Sequence, residues 1–170
     1  MTPERIAHPD PTLSAPAIAP VRKTIRVRAD VAHAFDVFTA GIDRWWPRSH
    51  HIGQSPMTRI IVEPHAGGRC YSEQEDGTEC DWGSVLAWEP PHRVLLAWQI
   101  TSQWRFEPEL ARSSEVEVRF TPEGDGMTRV DLEHRHLERH GPGADRMRAG
   151  VDAPGGWGSL LELFVAEAAR

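Results

Sequence analysis

The segment Glu75–Trp98, EDGTECDWGSVLAWEPPHRVLLAW, contains two predicted strands and the signals that separate them. Asp76-Gly77 is a strong turn signal, and the residues after it, 79 to 88, have the composition of a strand. Pro90-Pro91 ends that strand, and a second apolar run covers 92 to 100. Strands joined by such short connections run antiparallel, so the segment predicts the middle of an antiparallel sheet.

Further strands are predicted on both sides of this segment. Towards the N-terminus, Ile25, Val27 and Ala29 alternate with arginines, which indicates a half-buried strand. Glu115, Glu117 and Arg119 alternate with apolar residues and are expected on a solvated outer face. The complete set of predicted strands is this first one and 57–63, 68–75, 79–88, 92–100, 115–121 and 128–137.

Helical patterns occur at both ends of the predicted sheet. Asp30 is a suitable N-cap, and the residues 31, 34, 35 and 38 that follow are apolar at helical spacing. Gly41 interrupts this helix, and another turn or two is expected before Pro47. There is room for a short helix at 144–149, and the apolar stripe from Trp157 to Ala168 predicts a longer final helix. The predicted order is β-α-α-β6-α, an α+β fold.

Length, charge and composition restrict the class of protein. Residues 1–20 carry five prolines and are predicted to be a flexible arm before one domain at 21–170. The formal net charge is −6, and no basic stripe is present, which disfavours a nucleic-acid partner. No apolar run is long enough for a membrane span, and the N-terminus lacks the apolar core of a signal peptide, so a cytoplasmic location is expected.

The two cysteines are expected to be free thiols. If Asp76-Gly77 forms a two-residue hairpin loop, Cys70 lies opposite Gly83 and Cys80 lies opposite Glu73. The sulfur atoms would then be on opposite faces of the hairpin. A loop longer or shorter by one residue would return them to one face but leave them about four residues apart along the strands, roughly 13 Å, so a disulfide is not expected in either case.

Several motifs together resemble a known family. They are WWP at 45–47, GGRCYSEQEDGTECDWGSVLAWEPPHRVLLAWQ at 67–99, SSEVEVRFTPEGDGMTRVDLEH at 113–134 and the GW pair that opens the last helix. From about Val21 to Ala169 the chain resembles the Hsp90-ATPase-activator-homologue branch (AHSA1-type) of the SRPBCC superfamily, also called START-like or Bet v 1-like. The resemblance implies a helix-grip fold, in which a curved antiparallel sheet wraps around the C-terminal helix and leaves a cavity. Because this fold hosts lipid carriers, hormone receptors, polyketide cyclases and co-chaperone domains, it does not imply one activity.

Tryptophans are the main candidates for ligand contact. The chain has seven, and all fall in elements that would surround the implied cavity, where they either fill the core or line the cavity wall. Trp45 and Trp46 differ by about 100° on a helix, so one is expected to point inward and the other to lie at the rim. The segment 41–53, GIDRWWPRSHHIG, is therefore predicted to cover the cavity mouth. The candidate ligand-binding residues are Trp45, Trp46, His50, Trp82, Trp98, Trp104, His134, His136 and Trp157.

Histidines are the candidates for acid–base chemistry. His50 and His51 are adjacent and would point in opposite directions, which is unsuitable for a metal site. Continued alternation from Val130 and Leu132 puts His134 and His136 on the inner face. There they could hold a metal, transfer a proton or bind a ligand, unless they lie at the solvated end of the strand. No metal or cofactor is predicted, and no motif indicates a nucleophile.

One strand leaves its inward face undecided. Either Arg69 and Tyr71 or Cys70 and Ser72 point inward, and an inward Arg69 would favour an acidic ligand. The leading functional hypothesis is a protein that binds a small hydrophobic or aromatic molecule. The alternatives are a cyclase- or hydrolase-type enzyme using a histidine in the cavity and a stress-related module that interacts with a chaperone or regulator. An exposed edge strand would allow a homodimer.

Overall fold

The computed structural model describes residues 17–170. It contains the strands β1 Val21–Val27, β2 Met57–Val62, β3 Arg69–Gln74, β4 Glu79–Glu89, β5 Arg93–Trp98, β6 Ser114–Gly124 and β7 Met127–Arg135. The helices are α1 Val31–Phe38, α2 Ala144–Asp152 and α3 Trp157–Ala168. The predicted flexible arm, residues 1–20, lies outside the described residues except for 17–20. Among the described residues, no helix has both the length and the apolar composition that crossing a membrane requires.

The seven strands form one antiparallel sheet in the order β1-β7-β6-β5-β4-β3-β2. The sheet curves around α3, which confirms the helix-grip α+β fold. The side of α3 that packs on the sheet is apolar, with Leu161, Phe164 and Ala168 almost fully buried.

The helices begin where the sequence predicts. Asp30 caps α1, because its side chain accepts a hydrogen bond of 2.8 Å from the His33 backbone N–H. After Gly41 the chain makes a 3₁₀ turn, Ile42–Arg44, instead of a longer helix. The Asp43 side chain then accepts hydrogen bonds from Arg48 at 2.7 Å and from the backbone N–H of Ile60 at 3.0 Å, which fixes the following segment against β2. Burial acts in the opposite direction, but these bonds lower the pKa of Asp43.

A bulge in β4 controls which residues face inward in the middle of the sheet. Cys70 pairs with Gly83, as predicted, but Cys80 pairs with Ser72 and not with Glu73. The extra residue is Trp82, so Trp82 and Gly83 are both buried although they are adjacent. A side chain at position 83 would collide with the carbonyl oxygen of Ala97, so the bulge requires glycine here.

The pairing of β3 with β4 answers the questions about β3 and the cysteines. Cys70 and Ser72 point inward and are buried, whereas Arg69 is exposed and bonds Asp81 at 2.7 Å. An inward arginine for an acidic ligand is therefore absent from β3. Both cysteines are free, as predicted. The hairpin loop has one residue more than the two-residue form, which is the alternative that places both cysteines on one face.

Candidate functional site

A cavity of about 430 Å³ lies between the sheet, the start of α3 and the segments before β2 and after α2. This volume falls in the usual range for small-molecule sites. Its wall is largely aromatic and aliphatic. The lining residues are Trp46, Ser49, His50, His51, Ile52, Met57, Ile60, Ser72, Trp82, Trp98, Ile100, Trp104, Gly150, Val151, Pro154, Gly155, Gly156, Trp157 and Leu160.

Four tryptophans on this wall form a closed ring of contacts. Trp46 stacks on Trp82 with 6.3 Å between ring centroids, and Trp82 meets Trp98 edge-on at 6.3 Å. Trp98 contacts Trp157 at 5.7 Å, and Trp157 returns to Trp46 at 6.2 Å. The four side chains come from a loop, two strands and a helix, so each element holds the next one in position. The result is a wall of four indole rings that hold one another in place, with one stacked pair and three edge-on or tilted contacts.

Two of these indoles carry buried donors without partners. The Nε1–H groups of Trp82 and Trp98 have no hydrogen-bond partner among the described residues, and neither does Nδ1 of His51. All three side chains line the cavity. A buried polar group without a hydrogen bond lowers the stability by about 1–3 kcal/mol, so such groups are rare in native structures. The three atoms are buried, and the side chains that carry them belong to one cavity wall.

The indole of Trp157 is held in place by a buried histidine. Trp157 Nε1 donates to His134 Nδ1 at 3.1 Å, and His134 Nε2 lies 2.7 Å from Ser114 Oγ. The same hydroxyl lies 2.7 Å from His140 Nε2. Because an indole nitrogen only donates, His134 must carry its proton on Nε2 and donate to Ser114, whose own proton then goes to His140. Every donor and acceptor in this row has one assigned role.

The environment keeps His134 neutral. Its side chain is fully buried, and burial, with a smaller contribution from His140, lowers the pKa of His134 to about 3. Burial also lowers the pKa of His140, against an opposing effect of Glu107. A protonated His134 would have to break its bond with Trp157, since Nδ1 could no longer accept. His134 is therefore suited to positioning Trp157 and not to exchanging protons with a ligand.

The mouth of the cavity is bridged by one histidine. Trp46 Nε1 donates to the carbonyl of His50 at 2.7 Å, and His50 Nε2 lies 2.8 Å from the carbonyl oxygen of Gly155 on the opposite side. Gly155 has a φ of 90°, which favours glycine. Trp104 also lines the mouth, is 47% exposed and has a φ of 59°. Such a conformation is uncommon for an aromatic residue and is a frequent feature of functional loops.

The structure brings together six of the nine predicted site residues. The residues on the cavity wall are Trp46, His50, Trp82, Trp98, Trp104 and Trp157. Trp45 instead packs in the core against Phe38 and Phe164, and its Nε1 donates to the Val37 carbonyl at 2.9 Å. His134 lies behind the wall, in contact with Trp98 and Trp157.

The placement of His136 on the inner face is wrong. β7 ends at Arg135, one residue before it, and His136 has a φ of 58°. This left-handed conformation breaks the alternation from which the inner position was extrapolated. The His136 side chain is 42% exposed and lies 3.5 Å from Glu138.

Sequence reasoning did not identify several wall residues. The sequence indicates His51 only as a metal-ligand candidate, and nothing in the sequence shows that its Nδ1 is buried without a partner. Ser72 could have been found only by deciding which face of β3 points inward. The region 150–156 carries one proline and three glycines and has no periodic pattern, so only the tertiary fold places it at the cavity. Among residues 17–170, no group of three histidine, cysteine or acidic side chains is arranged to hold a metal ion.

Fold and cavity together define a helix-grip protein of the ligand-binding type. The family model described as Activator of Hsp90 ATPase homolog 1-like protein matches residues 28–169. The chain therefore belongs to this family, within the SRPBCC fold. A comparison with curated proteins gave no match.

Solved structures provide closer comparisons. An anthrahydroquino-γ-pyrone synthase, Txn09, solved in complex with a bound compound, is 42% identical, with a TM-score of 0.63 over 88% of this chain and 97% of the other. CalC, a self-sacrificing resistance protein from Micromonospora echinospora, is 31% identical, with a TM-score of 0.63 over 88% and 93%. Protein NE0264 from Nitrosomonas europaea shares the fold at 14% identity, with a TM-score of 0.61 over 88% and 93%.

Proposed function

We propose that the protein binds a flat aromatic molecule bearing oxygen acceptors in the tryptophan-lined cavity. The observation that carries this proposal is the pair of buried indole N–H groups, on Trp82 and Trp98, that have no partner in the described part of the chain. The proposal assigns ligand contact to Trp46, His50, Trp82, Trp98, Trp104 and Trp157, and adds His51.

The donors explain why the ligand should carry oxygen. An indole nitrogen only donates, so its partner must be an acceptor such as a carbonyl or phenol oxygen. An acceptor of this kind would form hydrogen bonds with both N–H groups and remove the free-energy cost of leaving them unsatisfied, whereas an apolar ligand would not.

The aromatic wall explains why the ligand should be flat. Indole rings bury large areas and prefer stacked or edge-on contacts with other rings. The relative at 42% identity supports this class, because its name describes the synthesis of an anthrahydroquinone-fused γ-pyrone. Such a molecule is planar and carries several oxygen acceptors.

The test uses 1,8-dihydroxyanthraquinone as the probe and intrinsic tryptophan fluorescence as the readout. Saturable quenching is expected for the unmodified protein. Replacing Trp82 or Trp98 by 3-benzothienylalanine keeps two fused rings but removes the N–H. Each replacement should raise the Kd roughly 2- to 13-fold, the equivalent of about 0.5–1.5 kcal/mol for one hydrogen bond.

The matched control is the same replacement at Trp88. Trp88 packs against Phe35 at 5.0 Å and does not line the cavity, so its Kd should stay unchanged. Non-saturable quenching, or an equal loss of affinity at all three positions, would contradict the proposal.

A second candidate function is ring closure on such a molecule. The specific observation in its favour is His51, which lines the same cavity as the two indole donors and has an unpartnered nitrogen. The interaction-module hypothesis, the homodimer, the cytoplasmic location and the absence of a nucleic-acid partner remain predictions.

A further inference from the structure

One histidine on the cavity wall has a side chain with no hydrogen-bond partner in the described part of the chain. His50 and His51 both line it, but both nitrogens of His50 are engaged, Nδ1 with Ser49 Oγ at 3.0 Å and Nε2 with the Gly155 carbonyl at 2.8 Å. His134 lies behind the wall and uses both nitrogens as well. No hydrogen bond engages the His51 side chain among the described residues, and its Nδ1 is buried.

We infer that His51 is a catalytic acid–base residue for ring closure in the cavity, and that the indole N–H groups of Trp82 and Trp98 stabilise the oxyanion formed during closure. The inference rests on the proposed function, because it needs an aromatic ligand in contact with these three side chains. The substrate class is an aromatic molecule with a phenol or enol hydroxyl placed beside an α,β-unsaturated ketone.

The reaction is an isomerisation. His51 accepts the hydroxyl proton while the oxygen attacks the β-carbon, which forms the new C–O bond. The π electrons of the carbon–carbon double bond move toward the carbonyl, so an enolate with a negative oxygen results. The imidazolium then returns the proton to the α-carbon. Substrate and product have the same atoms and electrons, and no oxidant, reductant or water is consumed.

The surroundings of the indole donors suit this charge development. Donors that are already fixed in a water-poor site stabilise an oxyanion without reorganising. The Trp82 and Trp98 rings are held by their neighbours in the tryptophan ring, at 6.3 Å from each other. Their N–H groups have no competing acceptor in the described part of the chain.

The probe for the experiment is 2′-hydroxychalcone, which closes to flavanone by this reaction. Closure is followed by the loss of chalcone absorbance, and binding is followed separately by tryptophan fluorescence. The full-length protein should bind the probe and accelerate closure above the buffer rate. His51→Gln should bind with a Kd within about threefold of the parent. Its closure rate should fall by about 100-fold or more, the usual contribution of general acid–base catalysis.

Two further variants separate catalysis from a structural effect. His51→Ala should regain closure when imidazole is added, because the free base can occupy the space of the lost ring. His33→Gln removes an exposed histidine on α1, away from the cavity, and should close the probe at the parent rate.

Each alternative result has a definite meaning. Binding without acceleration would overturn the role of His51 and leave the binding proposal intact. Absence of binding would overturn the proposed function and this inference with it. A folded His51→Gln protein that closes the probe at the parent rate, or a folded His51→Ala protein that imidazole does not rescue, would show that His51 is not the acid–base residue.

Discussion

The buried row Trp157–His134–Ser114–His140 should make the stability of the protein sensitive to acid in a defined way. The perturbation is His134→Gln, which keeps a polar side chain but removes the imidazole. At pH 7.5 the substitution disrupts the 3.1 Å bond to Trp157 and leaves a buried indole N–H unsatisfied. The expected loss in the free energy of unfolding is about 1–3 kcal/mol.

The effect of pH on the parent protein follows from the low pKa of His134. Its folded-state pKa is about 3, below the ordinary histidine value, so the folded chain resists a proton that the unfolded chain accepts. This contribution to stability is fully present above about pH 6.5 and is lost as the pH falls. Below about pH 6.5 the free energy of unfolding falls by about 1.4 kcal/mol per pH unit, which amounts to about 2 kcal/mol by pH 5.

The variant lacks this titration, so the stability difference between the two proteins should shrink by about 2 kcal/mol from pH 7.5 to pH 5. Urea unfolding at several pH values, analysed by linear extrapolation, gives the free energies. His33→Gln provides the control and should stay within about 0.5 kcal/mol of the parent throughout. A difference between parent and His134→Gln that does not change with pH would refute the reasoning.

Three further predictions concern packing and reactivity. Trp157→Phe and His134→Gln should show a coupling energy of about 0.5–3 kcal/mol in a double-mutant cycle, since they share one hydrogen bond, and additive effects would contradict that bond. Gly83→Ala should cost about 1–3 kcal/mol in urea unfolding because its methyl meets the Ala97 carbonyl, whereas Gly158→Ala, in open space on α3, should stabilise by up to about 1 kcal/mol; equal effects would contradict the bulge geometry. Burial raises the pKa of both thiols, but Cys70 is fully buried and Cys80 only partly buried, so iodoacetamide should label Cys80 first in the folded protein. Mass spectrometry that shows Cys70 labelled first would contradict this.

Local signals in the sequence account for most of the fold. The N-cap at Asp30, the turn at Asp76-Gly77 and the apolar stripe of α3 are short-range patterns, and the structure has elements at all three. Trp45 lies in the core and Trp46 lies on the cavity wall, but both are buried and both follow the 3₁₀ turn, so the helical phase on which the prediction rested does not apply.

The candidate site was less predictable because it depends on departures from regular patterns. The bulge at Trp82 shifts the alternation of β4 by one residue, and the glycine that follows was the available signal. β7 ends at Arg135, so His136 does not lie on the inner face, and no residue type at these positions predicts the end of the strand. His51 stands out because its Nδ1 is buried in a folded loop without a hydrogen-bond partner, and no local sequence pattern predicts this.

The central claim is that the indole N–H groups of Trp82 and Trp98 bind oxygen acceptors of a ligand. Its most direct test is an ¹H–¹⁵N NMR titration of the indole resonances, assigned by single Trp→Phe substitutions, with 1,8-dihydroxyanthraquinone. Trp45, whose N–H already donates to Val37, serves as the internal reference. Downfield shifts are expected for Trp82 and Trp98 at saturation, with little change for Trp45. Shifts confined to exposed Trp104, or no saturable shifts, would contradict it.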